Sequence, residues 1–174
     1  MSFSLVSRVV VLMGILSVLG GGCAYVPKAP EQSGDAITFI MMDRNPEALR
    51  FALYTLDSKG TLSGGGGLSA RNEKVDWTIA LGPEDVSRLD TAIRDAGWLN
   101  GEAIGEPDGA SGPRVLAISI RGPNGNQALT IEAKGDAFGP QTSAVLKLLV
   151  KYASRRYSQK LNALPQAGDS LNSP

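Results

Sequence analysis

The sequence predicts an α+β fold in which an antiparallel sheet of about five to six strands has two helices packed on one face. Two segments have turn signals between apolar strands, one alternates apolar and polar residues, and two have apolar residues at helical spacing. Adjacent hairpins favour antiparallel pairing, and two amphipathic helices can cover the apolar face of such a sheet. The predicted order of elements is ββββ-α-ββ-α.

The first three strands are predicted from an apolar run and a hairpin. Residues 37–42 form a short apolar run that is suited to a buried strand. Residues 50–64 are typical of a hairpin, because the sequence DSKG at 57–60 can form a type I turn that ends in a left-handed glycine. This turn places Leu56 opposite Leu62.

The fourth strand and the first helix follow each other directly. In residues 74–81 apolar residues alternate with more polar ones, which predicts a strand with one apolar face. That face consists of Val75, Trp77, Ile79 and Leu81. A helix is predicted to begin at Pro83, since proline fits the first helical position and the carboxylates of Glu84 and Asp85 complement the helix dipole. The inner side of this helix and the turn after it are predicted to consist of Val86, Leu89, Ile93, Ala96, a capping Gly97, Trp98 and Leu99.

The last two strands and the second helix complete the predicted domain. Residues 114–134 are predicted to form a hairpin around the turn signal Asn124-Gly125. A register in which paired residue numbers sum to 249 keeps apolar residues opposite each other, with a four-residue loop at 123–126, whereas a sum of 248 would place apolar residues opposite polar ones. A helix is predicted to begin at Gly139-Pro140, and its apolar stripe consists of Val145, Leu148, Leu149, Tyr152 and Ala153.

The amino-acid composition excludes several classes of protein and several kinds of catalytic or metal site. The 174-residue chain is 43% hydrophobic, which is enough for a single domain with one core. Lys plus Arg and Asp plus Glu are equal at 17 each, so no nucleic-acid partner is expected. The absence of histidine excludes a Ser-His-Asp triad, and the single cysteine excludes an intramolecular disulfide. We therefore expect neither a metal nor a cofactor.

The first 23 residues have the pattern of an export signal. Arg8 and the amino terminus form a weakly basic region, and an apolar run at 9–19 follows it. This run is shorter than the roughly 20 residues that a membrane-spanning helix needs, and it has the length of a signal-peptide core. Three glycines at 20–22 then precede Cys23, the single cysteine of the chain.

This arrangement resembles the signal peptide of bacterial lipoproteins, whose lipobox is a leucine-type residue, two small residues and a cysteine. Gly20 stands where leucine is usual, and Leu19 lies one position earlier. The resemblance implies export, acylation of Cys23 and a membrane anchor. Because Ala24 replaces the aspartate that often retains lipoproteins at the inner membrane, it implies the outer membrane, facing the periplasm. The alternative is cleavage after Ala24 by ordinary signal peptidase, which would give a soluble secreted protein.

The chain is accordingly divided into four parts. Residues 1–22 are the signal peptide, and 23–36 are the lipidated N-terminus and a flexible tether that contains two prolines. Residues 37–160 form the single α+β domain, and 161–174 have the composition of a disordered tail.

Two glycine-containing segments are candidate sites. The run 63–69 lacks the following helix and the Lys-Ser/Thr pair of a phosphate-binding loop, and a strand is expected to follow it. A flexible connection or a bulged, weakly paired strand is therefore predicted. In loop 100–113, Glu102, Glu106 and Asp108 do not have the spacing of a calcium-binding loop, and a solvated surface loop is expected.

The last helix has five basic residues and no acidic one: Lys147, Lys151, Arg155, Arg156 and Lys160. The first three are four residues apart and share a face. A polar outer face and the helix dipole explain these residues structurally. The functional alternative is a patch that binds anionic lipid or a negatively charged polymer, and a tether would strengthen that contact through a high effective concentration.

The layout of the domain is similar to that of a class of uncharacterised bacterial lipoprotein domains. Three segments carry this similarity: LYTLDSKGTLSGGGG, LGPEDVSRLDTAIRDAGWL, and the closing hairpin and helix. This resemblance carries no functional motif.

We predict a lipid-anchored, non-enzymatic binding or scaffolding module of the cell envelope, with the membrane as a partner through acylated Cys23 and an envelope protein as a further partner. The alternatives are a hydrolase that uses carboxylates or a Ser-Lys pair, and an inhibitor of an envelope hydrolase.

Overall fold

The computed structural model describes residues 36–107, 111–135 and 137–162, with the side chains of the last helix as far as Tyr157. Within these ranges six strands form one sheet: β1 (Thr38–Asn45), β2 (Arg50–Leu56), β3 (Thr61–Gly66), β4 (Trp77–Ala80), β5 (Arg114–Gly122) and β6 (Gly125–Ala133). The helices in the same ranges are α1 (Leu68–Arg71), α2 (Pro83–Asp95) and α3 (Pro140–Asn162), with a 3₁₀ turn at Trp98–Asn100. The predicted signal peptide, Cys23, the tether up to residue 35 and the tail from residue 163 lie outside the described residues.

The sheet confirms the predicted α+β class. Its strand order is β4-β3-β2-β1-β5-β6, and every neighbouring pair is antiparallel. β1 lies in the middle because it pairs with β2 on one side and with β5 on the other. α2 and α3 cover one face, where their buried side chains join those of the strands in the main core.

The hairpin of β2 and β3 has the predicted geometry. Leu56 pairs with Leu62, and Gly60 adopts a φ of 77°. One carboxylate oxygen of Asp57 accepts hydrogen bonds from the backbone N–H groups of Lys59 and Thr61, at 2.9 and 2.8 Å. The turn is therefore held by its first side chain and by a glycine in the left-handed region.

The predicted register of the second hairpin is wrong by two residues. Leu116 pairs with Ile131, so paired numbers sum to 247 and not to 249. Gly122 pairs with Gly125, which leaves a two-residue connection, and Gly125 has a φ of 93°. Because side chains alternate with period two, both registers keep the same residues on the same face, and the apolar pattern does not distinguish them.

A one-turn helix that was not predicted lies on the other face of the sheet. α1 follows Gly67 directly, and its Ala70 is fully buried in a small second cluster with Met42, Leu53 and Ala117. The prediction of a strand directly after the glycine run is therefore wrong. A four-residue helix has too few positions to produce a recognisable 3.6-residue periodicity.

Both long helices begin where the sequence predicts. α2 starts at Pro83, Gly97 follows it with a φ of 79°, and Trp98 and Leu99 fold back into the core. α3 starts at Pro140 and continues to Asn162, two residues into the segment assigned to the tail.

Candidate functional site

Two adjoining cavities lie between α3 and the end of the sheet that carries the β1–β2 turn. Their volumes are about 400 and 270 Å³, and both are lined by Arg114, Leu146 and Val150. We call the combined depression the α3 groove. The remaining lining residues are Phe138, Ser143, Lys147 and Lys151 of the first cavity, and Asp43, Leu49, Arg50, Phe51, Ala52, Tyr54 and Gly67 of the second.

The floor of the α3 groove is a buried ion pair between neighbouring strands. Arg114 begins β5, and its Nε and Nη2 donate to the two carboxylate oxygens of Asp43 on β1, at 2.9 and 2.6 Å. The two side chains are 8% and 14% exposed, respectively. The guanidinium also lies 4.8 Å from the centroid of the Phe138 ring. The pair therefore gives the groove an ordered polar floor whose two charges cancel.

One wall of the groove is a side of α3 on which apolar and basic residues alternate. Leu146 and Val150 are four residues apart, as are Lys147 and Lys151, so each pair continues along the same side of the helix. Val150 is 58% exposed, and both lysines are exposed. No ion pair to either lysine ammonium occurs in the part of the chain that the structure describes. These two charges therefore give the groove its positive wall.

The opposite wall is the β1–β2 turn and the start of β2. Leu49 lies in this turn with a φ of 51° and is 77% exposed. The turn is held by Asn45, whose side-chain oxygen accepts a hydrogen bond from the N–H of Ala48 at 3.1 Å. Phe51 is half-buried, and the Arg71 guanidinium of α1 lies 6.0 Å from its ring centroid. This wall is thus mainly apolar, with a basic side chain at its border.

Tyr54 closes the inner end of the second cavity. Burial raises the pKa of its hydroxyl, and the neighbouring Asp43 carboxylate raises it further. Its ring meets Trp77 edge-to-face at a centroid distance of 6.1 Å. Tyr54 therefore stays neutral, and its hydroxyl remains a hydrogen-bond donor.

The five basic residues predicted on α3 do not form one surface. Lys147 and Lys151 line the α3 groove. Arg155 turns toward α2, where both of its Nη atoms donate to the carboxylate of Asp85. Arg156 lies over the rings of Trp77 and Tyr157, 5.1 and 4.6 Å from their centroids. Lys160 lies on α3, with its side chain beyond the described part.

The acidic loop does not bring its carboxylates together. Glu102 is exposed, whereas the half-buried Glu106 accepts a hydrogen bond from the N–H of Gly139 at 2.8 Å, just before α3 begins. Glu106 therefore helps to position the start of α3 and is not solvated as predicted. Asp108 lies outside the described residues. In the described ranges there is no group of three or more acidic or cysteine side chains that could hold a metal ion.

The glycine run begins in a paired strand, where Gly64 and Gly65 are needed for close approach. Gly64 pairs with Tyr54 on one side and with Trp77 on the other. A Cβ at Gly64 would lie 2.3 Å from the carbonyl oxygen of Leu53 and 2.5 Å from the Trp77 ring. The run is therefore structural and does not form a loop that could bind an anion.

Sequence reasoning found the two lysines of the α3 groove but missed the rest of it. Asp43 and Arg114 are 71 positions apart in the chain, and neither residue belongs to a motif that pairs them. The one available signal for the turn was Pro46 after Asn45, which is typical of a tight connection.

No protein-family model matches the chain, and no curated protein shows significant similarity to it. Among the helices that the structure describes, none is both long and apolar enough to cross a membrane.

Proposed function

We propose that the protein is an exported, lipid-anchored protein of the cell envelope, whose domain is a non-enzymatic module that binds an anionic, partly apolar ligand in the α3 groove. The observation that carries the ligand class is the pair Lys147 and Lys151, two exposed cations that lie beside the apolar Leu146 and Val150 and have no ion-pair partner within the described ranges. Asp43 does not compete with the ligand for these cations, because Arg114 already neutralises it.

The anchor is proposed from the sequence pattern that ends at Cys23. One acyl chain holds a protein at a membrane only marginally, whereas two or three hold it firmly. A diacylated or triacylated Cys23 would therefore keep the domain at a bilayer without any spanning helix. Tethering also raises the effective concentration of a ligand on the same surface, so a groove of modest intrinsic affinity would be occupied.

The ligand class is tested with hexyl phosphate, a soluble probe with one anionic group and one short alkyl chain. We expect NMR chemical-shift changes at the α3 groove, and weaker binding of hexanol and hexyltrimethylammonium, because the lysines favour the anion. Lys147→Gln with Lys151→Gln should lower the affinity for hexyl phosphate about tenfold. Equal binding of the three probes would contradict the proposed ligand class.

A control of equal charge change is available outside the α3 groove. Lys59 lies in the β2–β3 turn and Arg88 on α2, and both are exposed and do not line the groove. Lys59→Gln with Arg88→Gln removes two positive charges and should leave hexyl phosphate binding unchanged. An equal loss in both double variants would show that net charge, and not the groove, determines binding.

The anchor is tested by metabolic labelling with an alkyne fatty acid. The wild-type chain should incorporate the label and fractionate with membranes, and Cys23→Ser should abolish both. An unlabelled wild-type chain that appears in the soluble fraction would support cleavage after Ala24 and overturn the anchor.

A further inference from the structure

We propose that the α3 groove and its rim dock on the anionic surface of a lipid bilayer, with Leu49 and Val150 inserted among the lipid headgroups. This inference rests on the proposed function, because it names the partner of the same groove. It assigns the membrane a second contact with the protein, through the folded domain and independent of Cys23.

The first observation is where the exposed apolar side chains lie. Leu49 and Leu68 have the highest exposure of the large apolar residues in the described ranges, at 77% and 74%. Leu49 lines the α3 groove, whereas Leu68 lies in α1 on the other face of the sheet. Val150, at 58%, lines both cavities. Exposed apolar side chains that collect at one rim indicate an interaction surface.

The second observation is the backbone of Leu49. A φ of 51° is costly for leucine, and the side chain gains no burial in the core that would offset this cost. The turn is nevertheless ordered by Asn45, and the N–H of Leu49 donates to the carbonyl of Pro46 at 3.3 Å. The fold therefore presents Leu49 outward, and the apolar side chain gains free energy only when a partner covers it.

The third observation is the charge around this rim. Lys147 and Lys151 flank Val150 on α3, across the groove from Leu49 in the β1–β2 turn. Basic residues that alternate with exposed apolar ones are the pattern of surfaces that bind anionic bilayers. One exposed carboxylate, Glu47, lies in the same turn. The charge of this rim is therefore complementary to an anionic lipid surface and not to a zwitterionic one.

The position of the tether permits this contact. The described chain enters β1 at its first residue, whereas the β1–β2 turn lies at the other end of that strand. Eight strand residues span about 26 Å, and the 14 residues 23–36 can span at most about 46 Å. A chain held at Cys23 is thus long enough for the rim to face the bilayer that holds the anchor.

The test uses the chain from Ala24 to Pro174, which carries no acyl group and retains every core residue, since these lie between Ile37 and Ala153. It is sedimented with vesicles of phosphatidylcholine that contain phosphatidylglycerol, and with vesicles of phosphatidylcholine alone. We expect binding to the anionic vesicles that weakens with added salt, and no binding to the neutral ones. Equal binding to both compositions, or to neither, would overturn the proposal.

Two substitutions separate insertion from simple charge attraction. Leu49→Asn removes the apolar side chain and should fold normally, because asparagine adopts positive φ more readily than leucine; we expect about tenfold weaker vesicle binding. Lys147→Gln with Lys151→Gln should weaken it about 30-fold. The matched control is Ile104→Asn, which changes an exposed apolar residue that lines neither cavity and should have no effect. Unchanged vesicle binding by Leu49→Asn would refute insertion.

Hexyl phosphate distinguishes failure of this inference from failure of the proposed function. Binding of hexyl phosphate in the groove, without binding to anionic vesicles, would refute bilayer docking and leave the proposed function standing. If neither the soluble probe nor the vesicles bind, both proposals are wrong. Binding of both, with the same dependence on Lys147 and Lys151, would support both.

Discussion

The two halves of α3 carry basic residues at the same helical spacing, yet these residues contact different things. Lys147 and Lys151 face the α3 groove, with no acidic partner among the described residues. One helical turn further on, Arg155 is paired with Asp85 of α2. The difference shows that a run of cations on a helix has no single role, because the segment packed opposite each cation decides whether its charge is neutralised.

The second half of α3 is a structural contact. Tyr152 is fully buried, and its hydroxyl donates to the backbone carbonyl of Asp85 at 3.3 Å. The Arg155 guanidinium lies 4.8 Å from the Tyr152 ring centroid while it binds the Asp85 carboxylate. These three side chains join α3 to the first turn of α2. The lysines in the first half of α3 make no comparable contact with any residue that the structure describes.

The largest expected effect is that of Tyr152→Ala. Removing a fully buried aromatic ring should lower the free energy of unfolding by about 3–5 kcal/mol. Urea denaturation followed by circular dichroism measures this change. The control Val150→Ala lies on the exposed half of the same helix and should stay within about 0.5 kcal/mol of wild type. Equal losses of stability in the two variants would contradict the difference proposed between the two halves of α3.

A smaller effect, with a defined pH dependence, is expected for Asp85→Asn. The hydrogen bond from Arg155 lowers the pKa of the Asp85 carboxyl below its ordinary value of 3.8. A carboxyl with a depressed pKa in the folded state stabilises the fold above the ordinary pKa, and this contribution is lost as the pH falls through the folded pKa. Wild type should therefore unfold at higher urea than Asp85→Asn near pH 7, and the two midpoints should converge below pH 3.8. A difference that persists unchanged in acid would contradict the ion pair.

Leu49→Asn should stabilise the fold slightly. Asparagine relieves part of the strain of a positive φ without the loss of any core contact, so we expect a gain of about 0.5–1 kcal/mol in the free energy of unfolding. The thermal midpoint and the urea midpoint should both rise. A loss of stability would mean that the Leu49 side chain packs within the domain, and it would remove an argument for an outward-facing role.

The smallest expected effect on stability is that of Lys147→Gln with Lys151→Gln. Neither ammonium has an ion-pair partner in the described structure, so the free energy of unfolding should change by less than about 0.5 kcal/mol. The same double variant should lose binding of hexyl phosphate. A clear loss of stability would show that these lysines stabilise the fold, as Arg155 is expected to do. The two halves of α3 would then not differ in the role of their basic residues.

The fold was predictable from local signals wherever one short segment contains all the residues that define a turn or the start of a helix. The turn at 57–60 defines its own hairpin, and Pro83 and Pro140 mark the first residues of the long helices. The second hairpin was predicted two residues out of register. An apolar pattern of period two determines which face a residue occupies, but it leaves shifts of two residues equivalent.

The candidate site was predictable only in part, for a related reason. Lys147 and Lys151 were identified because they recur on one helix face. Asp43, Arg114 and Leu49 come from segments that are distant in the chain, and only the pairing of β1 with β5 and the packing of α3 bring them together. Nothing in the sequence around Arg155 shows that Asp85 will neutralise it.

The sequence by itself determined the two hairpins, the starts of the two long helices and the presence of a basic final helix, because periodicity and turn chemistry act over a few residues. Tertiary structure decided the hairpin register, the place of β1 at the centre of the sheet and, among the described side chains of α3, which cations have an ion-pair partner. Each of these depends on which distant segments meet, since a charge or a strand edge is satisfied only by the group that lies opposite it in the folded chain.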